Sequence, residues 1–186
     1  SRVEEIIEDL RRLLEEIRKE NEDSIRRSKE LLDRVKEIND TIIAELERLL
    51  KDIEKEVREK GSESEEVKKA LRAVLEELEK LLRRVAEINE EVLRRNSKLV
   101  EEDERRNREV LKELARLVEE LIREIGDEDK RDHMVLHEYV NAAGITKLDR
   151  ESKEAFRATN EEIAKLDEDT ARVAERVKKA IEDLAK

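Results

Sequence analysis

The chain has no cysteine, no proline and no tryptophan, and only three glycines, one tyrosine and one phenylalanine. Without cysteine there is no disulfide framework and no thiolate metal or redox site. Without proline, only glycine is left to break a helix sharply. No run of about 18 apolar residues exists, which argues against a membrane-spanning helix, and the N-terminus carries no signal-peptide pattern. A basic stripe is missing too. The 42 basic and 53 acidic residues are interspersed, with a net charge of −11, which suits a solvated surface better than nucleic acid. The expectation is a soluble protein, cytoplasmic where it is expressed, binding neither nucleic acid nor membrane.

What remains is a small vocabulary. Charged residues make up 51% of the chain and hydrophobic residues 37%. High charge alone is compatible with disorder, but periodic apolar residues among Glu, Lys, Arg, Leu and Ala indicate long helices. Breaks outside one unusual stretch occur only at Gly61 and Gly126. "EKGSESEEV" reads as a helix end at Gly61 and a new start at Ser62 or Ser64. Ser62 with Glu65, and Ser1 with Glu4, have capping-box spacing. "EIGDEDKR" repeats the device, with Asp127 or Asp129 as cap. The spacing predicts helices over about 2–60, 65–125 and 129–185, each roughly 85–90 Å long. Short turns between them give one all-α domain over 1–186, an up-down-up bundle of three long helices with left-handed coiled-coil packing.

In the first helix Val3, Ile7, Leu10, Leu14, Ile17, Leu31, Val35, Ile38, Ile42, Leu49 and Ile53 follow steps of three and four. A second stripe runs through Ile6, Leu13, Ile25, Leu32, Ile43, Leu46 and Leu50. Two stripes serve two neighbouring helices and leave room for a further one from a partner. Polar residues interrupt the seam: Asn21, Ser24, Ser28 and Asn39 in the first helix, Asn89, Asn96, Asp103 and Asn107 in the second, Ser152, Thr159 and Thr170 in the third. Folding at the two turns brings Asn21 to Asn107 and Ser152. It brings Ser28 to Asn96 or Ser97 and to Thr159 or Asn160, and Asn39 to Asn89 and Thr170. Buried amides and hydroxyls must be paired, and once paired they set register and partner choice. None is a useful acid, base or nucleophile here. With no nucleophile–base pair, metal cluster or phosphate loop, the chain is expected to be no enzyme and to need no cofactor. The agreement of caps, glycine stops, charge pairs and polar layers resembles de novo designed helical bundles with buried hydrogen-bond networks.

One segment uses other words. "RDHMVLHEYVNAAGIT", Arg131–Thr146, holds both histidines, the only methionine and the only tyrosine. Read with a period of two, Met134, Leu136, Glu138, Val140 and Ala142 share one face, apolar but for one carboxylate. His133, Val135, His137, Tyr139 and Asn141 share the other. That is a half-buried strand. Gly144 and the branched Val135, Val140, Ile145 and Thr146 are mediocre helix formers, yet the segment runs straight into the third helix. Extended backwards, the helical seam turns Val135, Ala142 and Ile145 to the core, places Tyr139 beside them, and leaves His133, His137 and Gly144 outside. His133 and His137 have the spacing of a helical metal pair but no third ligand. His137-Glu138 lacks the second histidine of a zinc-protease motif.

From Arg131 and Asp132 through Ala143 to Thr146, the segment resembles the eleventh strand of green fluorescent protein, in the form of the solubility-optimised split-reporter tag. The resemblance covers 16 of the 186 residues. It implies that Glu138 would face the chromophore of a completed barrel, and that the partner is the ten-strand remainder. The chain lacks the other strands and should not fluoresce alone. The expected function is therefore a designed conformational switch or biosensor. The first two helices form a cage, and the third is a latch hiding the strand, released by a trigger helix. The alternative is a designed binding module that pairs with a partner helix and carries the strand as a passive reporter.

Overall fold

A computed structural model describes residues 2–126 and 128–186, with side chains described for 2–126 and 144–186. Ser1, Asp127 and the side chains of 128–143 lie outside that set. Among the described residues there are three helices: α1 (Arg2–Lys60), α2 (Glu65–Ile125) and α3 (Glu128–Leu184). They form an up-down-up bundle, and no strand occurs among the described residues.

The first two helices end where left-handed backbone becomes possible. Gly61 has φ of 85° and Gly126 of 66°, values that an L-side chain adopts only at a cost. The Gly61 N–H bonds back to the Val57 carbonyl at 2.8 Å, using one of the carbonyls a helix end leaves open. Ser64, not Ser62, precedes α2: its carbonyl accepts the Lys68 N–H at 3.0 Å, which makes it the N-cap. The Ser62–Glu65 capping box is therefore out of phase with the helix that forms. Asp129 lies inside α3 and is not its cap, while the caps expected at Ser1 and Asp127 fall outside the described residues.

The residues group into two compact units, Ser1–Lys29 with Asn96–Ala158, and Glu30–Arg95 with Thr159–Lys186. In the first, Ile6, Leu10, Ile17, Leu114, Leu117, Leu121 and Ile145 form an apolar cluster. In the second, one cluster joins Val35, Val92 and Ile163, and a larger one runs from Ile42, Leu46 and Ile53 through Leu71 and Leu78 to Ala174, Val177 and Ile181. The deepest line of α1 does not follow either sequence stripe. Ile6 and Leu46, from the second stripe, are wholly buried, whereas Val3, Ile7, Leu14, Leu31, Ile38 and Leu49, from the first, are half-buried. Each helix faces two others, so the line of full burial lies between the stripes and both flank it.

Helix direction shows in the cross-links. From α1 to α2 the separation of hydrogen-bonded partners falls from 86 residues at Asn21 to 68 at Ser28 and 50 at Asn39, as antiparallel neighbours require. From α1 to α3 it stays at 131 for both Asn21–Ser152 and Asn39–Thr170, so those helices run parallel. Gly61→Ala should lower stability by about 1–2 kcal/mol, the cost of a left-handed L-residue, with the far-ultraviolet spectrum unchanged; urea unfolding followed by circular dichroism measures it.

Candidate functional site: buried polar layers and the strand segment

Asparagine offers two donors and two acceptors, and a buried one needs most of them used. In the second unit Asn39 is fully buried. Its Nδ2 donates to the Val35 carbonyl and to Asn89 Oδ1, both at 2.8 Å. Its Oδ1 accepts from Asn89 Nδ2 at 3.3 Å and from the Thr170 hydroxyl at 2.8 Å. Asn89 Nδ2 donates also to Asp167 Oδ1 at 2.8 Å. The layer thus draws one amide from α1, one from α2, and a carboxylate and a hydroxyl from α3.

The first unit holds the same arrangement. Asn21 Nδ2 donates to the Ile17 carbonyl at 2.7 Å and to Asn107 Oδ1 at 2.9 Å. Asn107 Nδ2 returns a bond to Asn21 Oδ1 at 3.2 Å and another to Asp149 Oδ1 at 2.8 Å. The Ser152 hydroxyl donates to Asn21 Oδ1 at 2.9 Å. In the same unit Ser28 donates to Asn96 Oδ1 at 2.7 Å, and Asn96 Nδ2 to the Phe156 carbonyl at 3.0 Å. Thr159 is buried in the other unit.

Three carboxylates complete these layers; seam spacing points to Asp103 but to neither Asp149 nor Asp167. Asp149 and Asp167 each stand three residues before the hydroxyl of their layer, a repeat that could have found them. Asp103 is the third, 2% exposed and surrounded. Arg106 Nη2 approaches it at 3.3 Å and donates to Ser24 Oγ at 2.9 Å, while Arg106 Nε lies 3.5 Å from Glu20. Burial pushes the Asp103 carboxyl above its ordinary range, with Asp149 adding to the rise; Arg106 and the Ser152 and Ser24 hydroxyls oppose it. Ser152 has one hydroxyl proton and lies within bonding reach of both Asn21 and Asp103.

The helix surfaces behave differently. Glu15, Glu45, Glu91, Glu113 and Glu120 are held below the ordinary glutamate range by bonds from Arg18, Arg48, Arg94, Arg116 and Arg2 respectively. All but the half-buried Glu120 are solvated pairs, weakened by salt.

Of the strand segment, the backbone lies within α3, which is continuous over Glu128–Leu184. Ile145 is 1% exposed and belongs to the first unit's apolar cluster, while Gly144 and Thr146 are exposed. The directions expected for His133, Val135, His137, Tyr139 and Ala142, and the place of Glu138, lie outside the described residues. Among the described residues no group of three or more His, Cys, Asp or Glu is placed to hold a metal, and no helix is long and apolar enough to cross a membrane.

A solved structure described as a computationally designed three-helix bundle is similar over 99% of this chain and 87% of its own, with a TM-score of 0.68 and 16% identity. At that identity the likeness shows the fold. No protein-family model and no curated protein matches the chain.

Asn39→Ala strands Asn89 and Thr170 in the core. We expect a loss of about 2–4 kcal/mol, and a further Thr170→Ala change should cost less than it does alone; a double-mutant cycle by urea unfolding tests both. Asp103→Asn removes a buried charge and keeps a donor for Ser152. Because the parent carboxyl is raised on folding, its contribution to stability is full below about pH 3.9, its unfolded value, and declines as pH rises through the folded value. The variant should therefore be more stable than the parent at pH 7, with the gap closing toward pH 3; unfolding curves at both pH values decide it.

Proposed function

We propose that the chain is a designed conformational switch without enzymatic activity, which holds the fluorescent-protein strand 131–146 in helical form and releases it to the ten-strand remainder. The observation that carries this is the continuity of α3 through the segment. A helix uses its backbone N–H and C=O groups internally, whereas addition of a strand to a barrel edge needs the same groups pointing outward. One segment cannot do both. Either it stays in the bundle or it joins the barrel.

The bundle gives the segment a hold at its C-terminal end. Ile145 is buried in the first unit, and Asp149 and Ser152 are tied to Asn107 and Asn21. At the same time the segment is weak helix material, with Gly144 alone costing roughly 1 kcal/mol against alanine. A modest gap between closed and open states follows, the condition for a partner to shift the population by differential binding. The working partners are then the ten-strand remainder and a trigger helix that competes for α1 and α2. A passive tag would need none of this, and would normally hang from a flexible linker, which is missing here.

The test mixes the chain with the ten-strand remainder and compares fluorescence growth with that of the free peptide at equal concentration. The expected rate is slower by about tenfold or more, equivalent to closure by about 1.4 kcal/mol under rapid pre-equilibrium. Ser152→Ala with Asp149→Ala should recover part of the difference. An equal rate for chain and peptide would make the segment a tag on a helical scaffold.

A further inference from the structure

Ile145-Thr146-Lys147-Leu148-Asp149-Arg150-Glu151-Ser152 and Ile163-Ala164-Lys165-Leu166-Asp167-Glu168-Asp169-Thr170 share the pattern I-x-K-L-D-x-x-[S/T]. Positions 145 and 163, 149 and 167, and 152 and 170 each differ by 18. So do Asn21 and Asn39 on α1, and Asn89 and Asn107 on α2. Eighteen residues make about five turns at 3.6 per turn, which restores the same helix face. The hydrogen bonds agree one for one. Each layer has an α1 amide bound to the carbonyl four residues back, reciprocal amide bonds to α2, an α2 amide donating to an aspartate, and an α3 hydroxyl donating to the α1 amide. Burial repeats as well, at 1% for Ile145 against 0% for Ile163, and 0% for Ser152 against 1% for Thr170.

In these bonds the two layers do not distinguish one cassette from the other, although Ser24 and Asp103 near Ser152 are Ile42 and Val85 at the matching positions of the second unit. Four residues past each hydroxyl the equivalence ends: position 156 is the only phenylalanine and position 174 an alanine, both 1% exposed. Among the buried α3 positions of the two cassettes, this is where shape distinguishes them.

We infer that the first unit's site on α1 and α2, built on Asn21 and Asn107, binds α3 segment 163–176 of a second copy in place of its own residues 145–158. Ile163, Leu166, Asp167, Thr170 and Ala174 then take the places of Ile145, Leu148, Asp149, Ser152 and Phe156. The resident segment is attached to the poorly helical 131–144, and the incoming one carries no glycine, which favours exchange. Binding stands on the repeat alone. Its consequence, the uncovering of 131–146, rests on the switch reading.

The probe is a fluorescein-labelled peptide of residues 159–186 titrated into the full chain and followed by anisotropy. Saturable binding is expected, tightened at least about tenfold by Ala174→Phe in the peptide, because phenylalanine refills the space Phe156 leaves. At the second unit's site the same change would overfill the place of Ala174, among Ile42, Leu46 and Val177, and weaken binding to a similar extent. Asp167→Ala with Thr170→Ala in the peptide should lose at least about tenfold. Absence of saturable binding up to millimolar peptide, a weaker or unchanged Ala174→Phe peptide, or full affinity after loss of Asp167 and Thr170 would each overturn the inference. Complementation by the ten-strand remainder is read in parallel. Tightened binding without faster fluorescence growth would uphold the exchange and count against the switch.

Discussion

A carboxamide removed from water must find two donors' and two acceptors' worth of partners, and in this protein those partners lie on three different helices. Asn21 and Asn39 each use all four capacities: one on their own helix, two on α2 and one on α3. Apolar packing would tolerate a shift of one helix along another by a turn, since leucine and isoleucine recur with the same spacing. The amides would not, because each bond lost leaves a buried polar atom without water to replace it. Local register in each unit depends on this requirement. Apolar clusters supply the burial, and the layers select which arrangement is buried.

The same economy governs charge. On the surface, glutamate and arginine three or four positions apart lower the carboxyl pKa without being buried, and their contribution fades as pH falls. Asp103 behaves in the opposite sense, because desolvation outweighs Arg106. Among the described residues, Asp103 is thus a carboxylate whose charged form is less favoured than it would be in water. It stands between Ser24 and Ser152, next to the layer that anchors the start of the described part of α3.

In α3, local preference and global context disagree. Residues 131–146 alternate like a strand and contain Gly144, yet they continue a helix whose later turns are held by two layers and two apolar clusters. Elsewhere the chain is locally consistent, with strong helix formers on the surface and glycine only at the two turns. Such a conflict in an otherwise consistent sequence marks a functional constraint imposed from outside the fold. The proposed switch would impose such a constraint, one stretch serving as a helix in the bundle and as a strand in a barrel.

Much of this was legible in the residues themselves. The absence of proline, the two glycines and the three-four spacing of apolar residues are local properties, and they determine three long helices and where two of them end. Asn21, Asn39, Asn89 and Asn107 stood out because an amide on an apolar seam is conspicuous. Asp103 interrupts the seam and was legible too, but Asp149 and Asp167 were not, since in a chain with 51% charged residues a carboxylate beside a seam reads as solvated surface. The phase of the caps also escaped: serines at 62 and 64 are equivalent locally, and only the turn at Gly61 selects Ser64. The sequence by itself determined helix content, the positions of its breaks, and the presence of a strand-like segment, all of which depend on neighbours within a turn or two. Tertiary structure alone decided which line of each helix is fully buried, which carboxylates close the polar layers, and that Asp103 loses its water, because burial and desolvation are properties of three helices meeting and of no single one.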